Sequence, residues 1–330
     1  FEPRVAVILS HEMHMSPPVV FPSQRSSHFL SLLTTVVREV ERVEKFLAAA
    51  PLLYKNSVTG SQKSTLEISG PAGRITCDRF GQGPPLLLVN GYAASRVDWD
   101  PGFLEALASS STVYCPDNRG IGESDFGNDT LSIELMAGDM LSLLDSLGLD
   151  QADVAGWSMG GFISQQLAAM APGRVSGLVL MATDPGGDIR IPPEREDWRK
   201  LTDHSGTPHE QAKRLLELLF PQSMAAGVYE QFGDLVAAAQ EKLDPEVISA
   251  QEAAMIAWAK GPSKARLEAI TAPVLAVAGS EDVVIPPGNA EVIARHLPDS
   301  WLARFPGCAH ALMAQEPRRV ASLIDAFLRR

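Results

Sequence analysis

The sequence predicts an α/β fold, a mostly parallel sheet with helices on its flanks. Three observations carry that expectation. Short unbroken apolar runs recur along most of the chain, as strands buried on both faces of a parallel sheet require. Helical periodicities lie between several of them, the alternation that builds parallel sheets. A Gly-x-Ser-x-Gly turn falls between one such strand and the helix that follows it.

At 330 residues the chain can hold one α/β core and one insertion. With 45% hydrophobic and 21% charged residues, its composition is that of a globular protein rather than a disordered one. Forty acidic against 28 basic residues give a net charge of −12, which argues against nucleic acid as the main partner, because phosphate binding needs clustered Lys and Arg. No run reaches the roughly 18 apolar residues of a spanning helix, so stable membrane insertion is not expected. The apolar stretch at 5–9 is too short for a secretory signal and has Glu2 beside it. Cys77, Cys115 and Cys308 are too few and too scattered for a disulfide framework or a zinc site. A reducing, cytoplasmic compartment is the expectation.

Residues 1–63 form an N-terminal extension. The stretch 16–27 is rich in Pro and Ser and reads as loop. Residues 27–50 read as an amphipathic helix, with Leu30, Leu33, Val37, Val40 and Leu47 near one face and Pro51 as its stop. Such a helix packs on the domain or on a second subunit, which makes it a candidate homodimer contact.

From residue 64 the rhythm changes. Residues 64–69 and 73–80 alternate like strands, with Gly70-Pro71 between them as a hairpin turn. Buried strands follow at 86–89, 112–115, 152–155, 175–181, 273–278 and 301–305, with helices at 133–147, 160–170 and 289–296. The interval between Met181 and Pro273 has only helical patterns, at 210–219, 225–242 and 246–260. The predicted organisation is therefore a core of residues 64–184 and 268–330, with a helical cap, 185–267, inserted after the sixth strand.

The chemistry centres on Gly156-Trp157-Ser158-Met159-Gly160-Gly161. A nucleophile on a turn this sharp needs neighbours without side chains, and Gly156 and Gly160 supply that clearance. The hydroxyl of Ser158 needs a general base within hydrogen-bond reach. Of seven histidines, only His310 follows a strand exit on the edge where Ser158 lies. The imidazole in turn needs an acid. Asp282, in the loop after 273–278, is the first choice, and Asp184, leaving 175–181, is the rival. Two backbone N–H groups would hold a developing oxyanion, those of Met159 and Tyr92, with Gly91 allowing close approach.

Together these residues resemble the α/β-hydrolase superfamily over residues 64–330. Asp117-Asn118-Arg119-Gly120-Ile121-Gly122-Glu123-Ser124 is similar to that family's D-x-R-G-x-G-x-S turn. Gly-Trp-Ser-Met-Gly-Gly is similar to its esterase, C–C bond hydrolase and haloperoxidase-like branch. Where the family often has His-Gly before the oxyanion residue, this sequence has Asn90-Gly91, which spares the backbone donor. The resemblance implies an eight-stranded, mostly parallel sheet, the triad Ser158, His310 and Asp282, an acyl-enzyme, and no metal or organic cofactor. His11-Glu12-Met13-His14 lacks zinc-helix spacing, in agreement. Trp157, Met224 and Trp258 are candidate pocket residues, and the expected partner is a small or medium apolar ester. A C–C bond hydrolase, an aminopeptidase or a non-enzymatic ligand receptor on this fold remains open.

Overall fold

The computed structural model describes residues 4–9, 63–70 and 73–330. The predicted helix 27–50, and with it the dimer contact, lies outside them. The described strands form one nine-stranded sheet. It begins with β1 (Arg4–Leu9), β2 (Ser64–Gly70), β3 (Gly73–Phe80) and β4 (Pro85–Val89). After α1 (Pro101–Ala108) come β5 (Thr112–Pro116), α2 (Ile133–Ser146), β6 (Ala152–Trp157), α3 (Met159–Met170) and β7 (Val175–Met181). The sheet resumes with β8 (Val274–Gly279) and β9 (Asp299–Phe305). Strand order is β1-β9-β8-β7-β6-β4-β5-β3-β2. Only the β2–β3 and β3–β5 pairs are antiparallel. The eight strands expected from residue 64 onward are thus extended at one edge by β1, parallel to β9 from Arg4↔Asp299 to Leu9↔Arg304.

The apolar runs form strands because both faces are covered. In β4, Leu86 and Leu88 belong to one buried layer, and Leu87 and Val89 to the other. The first layer also takes Phe103 and Leu107 of α1, and the second takes Met136, Met140 and Leu143 of α2 with Ile163 and Leu167 of α3. Side chains that point alternately to opposite faces need a continuous apolar run when both faces are dry.

Between β7 and β8 come the α-helices α4 (Arg195–Leu201), α5 (Pro208–Leu219), α6 (Gln222–Gln240), α7 (Pro245–Trp258) and α8 (Ser263–Ala269), the last running past the expected boundary at 267. Local signals place their starts. Thr207 and Glu210 form a reciprocal capping box on α5, and Asp244 caps α7 through the Glu246 N–H. Strong amphipathic periodicity was absent from α4 and α8, which span only two turns each, and neither was anticipated. The chain closes with α9 (Gly288–Arg295), before β9, and then α10 (Leu312–Gln315) and α11 (Pro317–Leu328). Val320, Ile324 and Phe327 seat α11 on the α1 layer.

The Asp117–Ser124 turn is structural. Arg119 is almost wholly buried and meets Asp139 of α2 through two parallel hydrogen bonds, 2.9 Å from Nε and 2.5 Å from Nη2. Burial raises the Asp139 carboxyl while the guanidinium lowers it. Among the described residues no helix is long and apolar enough to cross a membrane. Cys77, Cys115 and Cys308 are all buried, and none of them is in a disulfide.

Candidate active site

Strand β6 delivers Ser158 to the edge of the sheet, and α3 starts at the next residue. Ser158 sits at φ 55°, ψ −122°, a conformation costing a residue with a side chain about 1–3 kcal/mol. The surroundings hold it there. Its N–H donates to the Met181 carbonyl at 3.0 Å, and its carbonyl accepts from Gly161 N–H at 2.9 Å and from the Thr183 hydroxyl at 2.8 Å.

The expected clearance is visible. A Cβ on Gly156 would lie 2.3 Å from the Gly160 carbonyl oxygen, and one on Gly160 would lie 2.2 Å from the Val89 carbonyl oxygen. Gly161, not singled out by the sequence reading, is equally constrained, because a Cβ there would stand 2.4 Å from Thr183 Oγ1. Gly160→Ala is expected to destabilise by about 3 kcal/mol or more, since the obstacle is backbone and cannot rotate away. A urea midpoint equal to that of the parent protein would contradict this turn.

His310 follows β9 and is 2% exposed. Its Nδ1 lies 2.8 Å from Asp282 Oδ2, in the loop after β8. The other carboxylate oxygen of Asp282 accepts from Val284 N–H and Ile285 N–H, both at 2.9 Å. Asp184, the rival acid, is engaged elsewhere. Its Oδ1 accepts from Gly186 N–H at 2.7 Å and from Trp258 Nε1 at 3.2 Å, and Arg190 stands 3.6 Å from its Oδ2. Burial pushes the Asp184 carboxyl above the ordinary range. The structure thus brings Asp282, not Asp184, to the imidazole. Among the described residues no hydrogen bond joins the Ser158 hydroxyl to His310, although both line one cavity. Such contacts commonly tighten only when substrate is bound.

The loop after β4 packs against the turn that holds Ser158. A Cβ on Gly91 would lie 3.2 Å from the Ser158 Cβ, so Gly91 permits the approach of backbone that the sequence suggested. Asn90 braces the loop: its Oδ1 accepts from Gly91 N–H at 2.9 Å and its Nδ2 donates to the Ser95 carbonyl at 2.5 Å. Tyr92 follows, its hydroxyl proton retained well above the ordinary range by burial and by the neighbouring Glu252 carboxylate. Met159 opens α3 and is fully buried.

The shared cavity holds about 880 Å³, towards the upper end of what small-molecule sites use. It lies between the sheet edge and the insertion, with Phe220, Val228, Phe232 and Ile248 on its wall. Trp157 and Trp258 line it as expected. Trp157 also does something the sequence did not suggest: its Nε1 donates to the His310 carbonyl at 2.9 Å, and the two rings lie 5.2 Å apart. Met224 does not line the cavity, which corrects its assignment as a pocket residue. It packs half-buried against the α1 layer, and its thioether accepts from Gln315 Nε2 at 3.6 Å. The start of α6 turns that side chain toward α10 rather than inward. Next to the imidazole, Ala311 N–H donates to the Leu219 carbonyl at the end of α5, at 2.9 Å. No group of three or more metal-ligating side chains occurs among the described residues.

Comparison with known proteins agrees with the fold. The model of the alpha/beta hydrolase fold family matches residues 84–317. A pimeloyl-(acyl-carrier protein) methyl ester esterase of Nitrosomonas europaea is 29% identical over 258 residues, 77% of this chain and 99% of that protein. A 2-hydroxymuconate semialdehyde hydrolase of Pseudomonas sp. (strain CF600) is 26% identical over 291 residues, 83% of this chain and 96% of that one. Among solved structures, a thermophilic esterase of Thermogutta terrifontis superposes with a TM-score of 0.66 at 27% identity, covering 81% of this chain and 98% of its own. These relatives are hydrolases, esterases among them.

Proposed function

This chain belongs to the α/β-hydrolase fold family, and from that premise we propose that it is a serine hydrolase cleaving a carboxylic ester of a small or medium apolar acyl group. The observation that carries the reading is the convergence of a strained Ser158 and a buried His310–Asp282 pair, 2.8 Å apart, on one cavity. Ser158 Oγ attacks the ester carbonyl as His310 Nε2 takes its proton. Asp282 holds the imidazole in the tautomer with Nδ1–H and stabilises the imidazolium. The N–H groups of Met159 and Tyr92 receive the oxyanion. The imidazolium returns the proton to the leaving alcohol, and water, activated by the same imidazole, releases the acid from the acyl-enzyme. No step calls for a metal or an organic cofactor.

Residues 185–267 act as a cap, and its apolar wall favours an uncharged acyl chain. A panel of p-nitrophenyl esters from acetyl to lauroyl tests this. The expected optimum lies between butyryl and octanoyl, with acetyl poorer because it leaves much of the cavity unfilled. Turnover confined to highly charged substrates would refute the assignment. C–C bond hydrolysis is the second reading, favoured by the similarity to the semialdehyde hydrolase. A ring-opened diketone assayed beside the esters separates the two.

A further inference from the structure

The insertion reaches past the cavity to the backbone beside Ser158, through two adjacent residues of α7. Ala93 is held at φ 55°, a left-handed conformation that an alanine adopts at a cost. Its N–H donates to Gln251 Oε1 at 2.9 Å, from a side chain with no exposure. The preceding residue, Tyr92, donates its hydroxyl to Glu252 Oε1 at 2.7 Å, and His204 Nε2 lies 2.6 Å from that same oxygen. Tyr92 is therefore gripped at its side-chain tip and at the peptide that follows it. Little freedom remains for the direction of its own N–H. Gln251 Nε2, by contrast, is buried without a hydrogen-bond partner. A buried amide with one arm unused is a poor stabiliser, so packing alone does not account for it.

We propose that Gln251, backed by Glu252, is a positioning residue for the oxyanion hole, so that the inserted helix α7 sets the rate of the chemical step as well as the choice of substrate. The inference rests on the serine-hydrolase reading above. An oxyanion donor acts only if it is aimed before the charge develops, and a small misalignment is felt in the transition state while the ground state barely notices it.

The test is Gln251→Leu, which removes the acceptor at similar volume. With p-nitrophenyl butyrate, kcat is expected to fall roughly 10- to 100-fold with KM little changed. Affinity for a trifluoromethyl ketone, whose tetrahedral adduct carries the oxyanion, is expected to fall by the same factor. Tyr92→Phe releases the other grip without touching α7, and a smaller fall in kcat at constant KM is expected. It carries the test if Gln251→Leu does not fold. Unchanged kcat and ketone affinity in the folded variants, or a change in KM alone, would overturn the proposal. Ser158→Ala, measured alongside, separates the two levels: turnover surviving there defeats the serine-hydrolase reading itself. A dead Ser158→Ala beside a full-rate Gln251→Leu defeats only the positioning role.

Discussion

Ser158→Ala is expected to lower ester turnover by roughly 10,000-fold or more and to abolish labelling by a fluorophosphonate probe. The fold should survive the change. The Ser158 backbone is held by Met181, Gly161 and Thr183 through main-chain atoms, none of which the substitution removes. Alanine meets the same steric cost at φ 55° that serine does. Thermal unfolding like that of the parent, with labelling lost, is the outcome that isolates chemistry from stability. Retained turnover would remove Ser158 from the reaction.

Asp282→Asn is expected to lower kcat by roughly 1,000- to 10,000-fold, and its environment says why. Val284 and Ile285 present two N–H groups to Oδ1. An asparagine must answer them with its carbonyl oxygen, which turns its NH2 toward His310. The imidazole would then be forced to accept at Nδ1 and carry its proton on Nε2, where it cannot take one from serine. Asp184→Asn is the matched comparison. Its partners are Gly186 N–H, Trp258 Nε1 and Arg190, none of them on the imidazole, so a fall of less than about 10-fold is expected. Steady-state kinetics on both variants decide between the two acids. A large loss in Asp184→Asn with near-normal Asp282→Asn would reverse the assignment.

Much of this site was legible because its requirements are local. The spacing of Gly156 and Gly160 around Ser158 reports a turn that has no room for Cβ atoms, and the contacts of 2.2–2.3 Å that such atoms would make explain the pattern. His310 could be chosen because strand direction is readable from apolar runs, and parallel strands release their loops on one edge. Asp282 and Asp184 leave neighbouring strands on that same edge, so pattern alone left both open. The carboxylate pairings separate them, and those depend on Trp258 and Arg190 folding back from the insertion. The same limit hid the grip of Gln251 and Glu252 on Tyr92 and Ala93, in which the partners stand 158 and 160 residues apart. Met224 was misplaced because apolar periodicity in a helix does not say which of two apolar neighbours it faces. β1 was missed as a strand because its apolar stretch, with no turn signal to bound it, finds its pairing only with β9 at the far end of the chain.

The bond from Ala311 N–H to the carbonyl of Leu219 joins the loop of His310 to the last turn of α5. Room for a bulky guest and readiness of the imidazole thus share one mechanical link. On the serine-hydrolase reading, an oversized acyl group that levers α5 outward would pull on the segment that carries His310, and kcat is then expected to fall more than KM rises. Size discrimination of this sort is read in the clock rather than in occupancy.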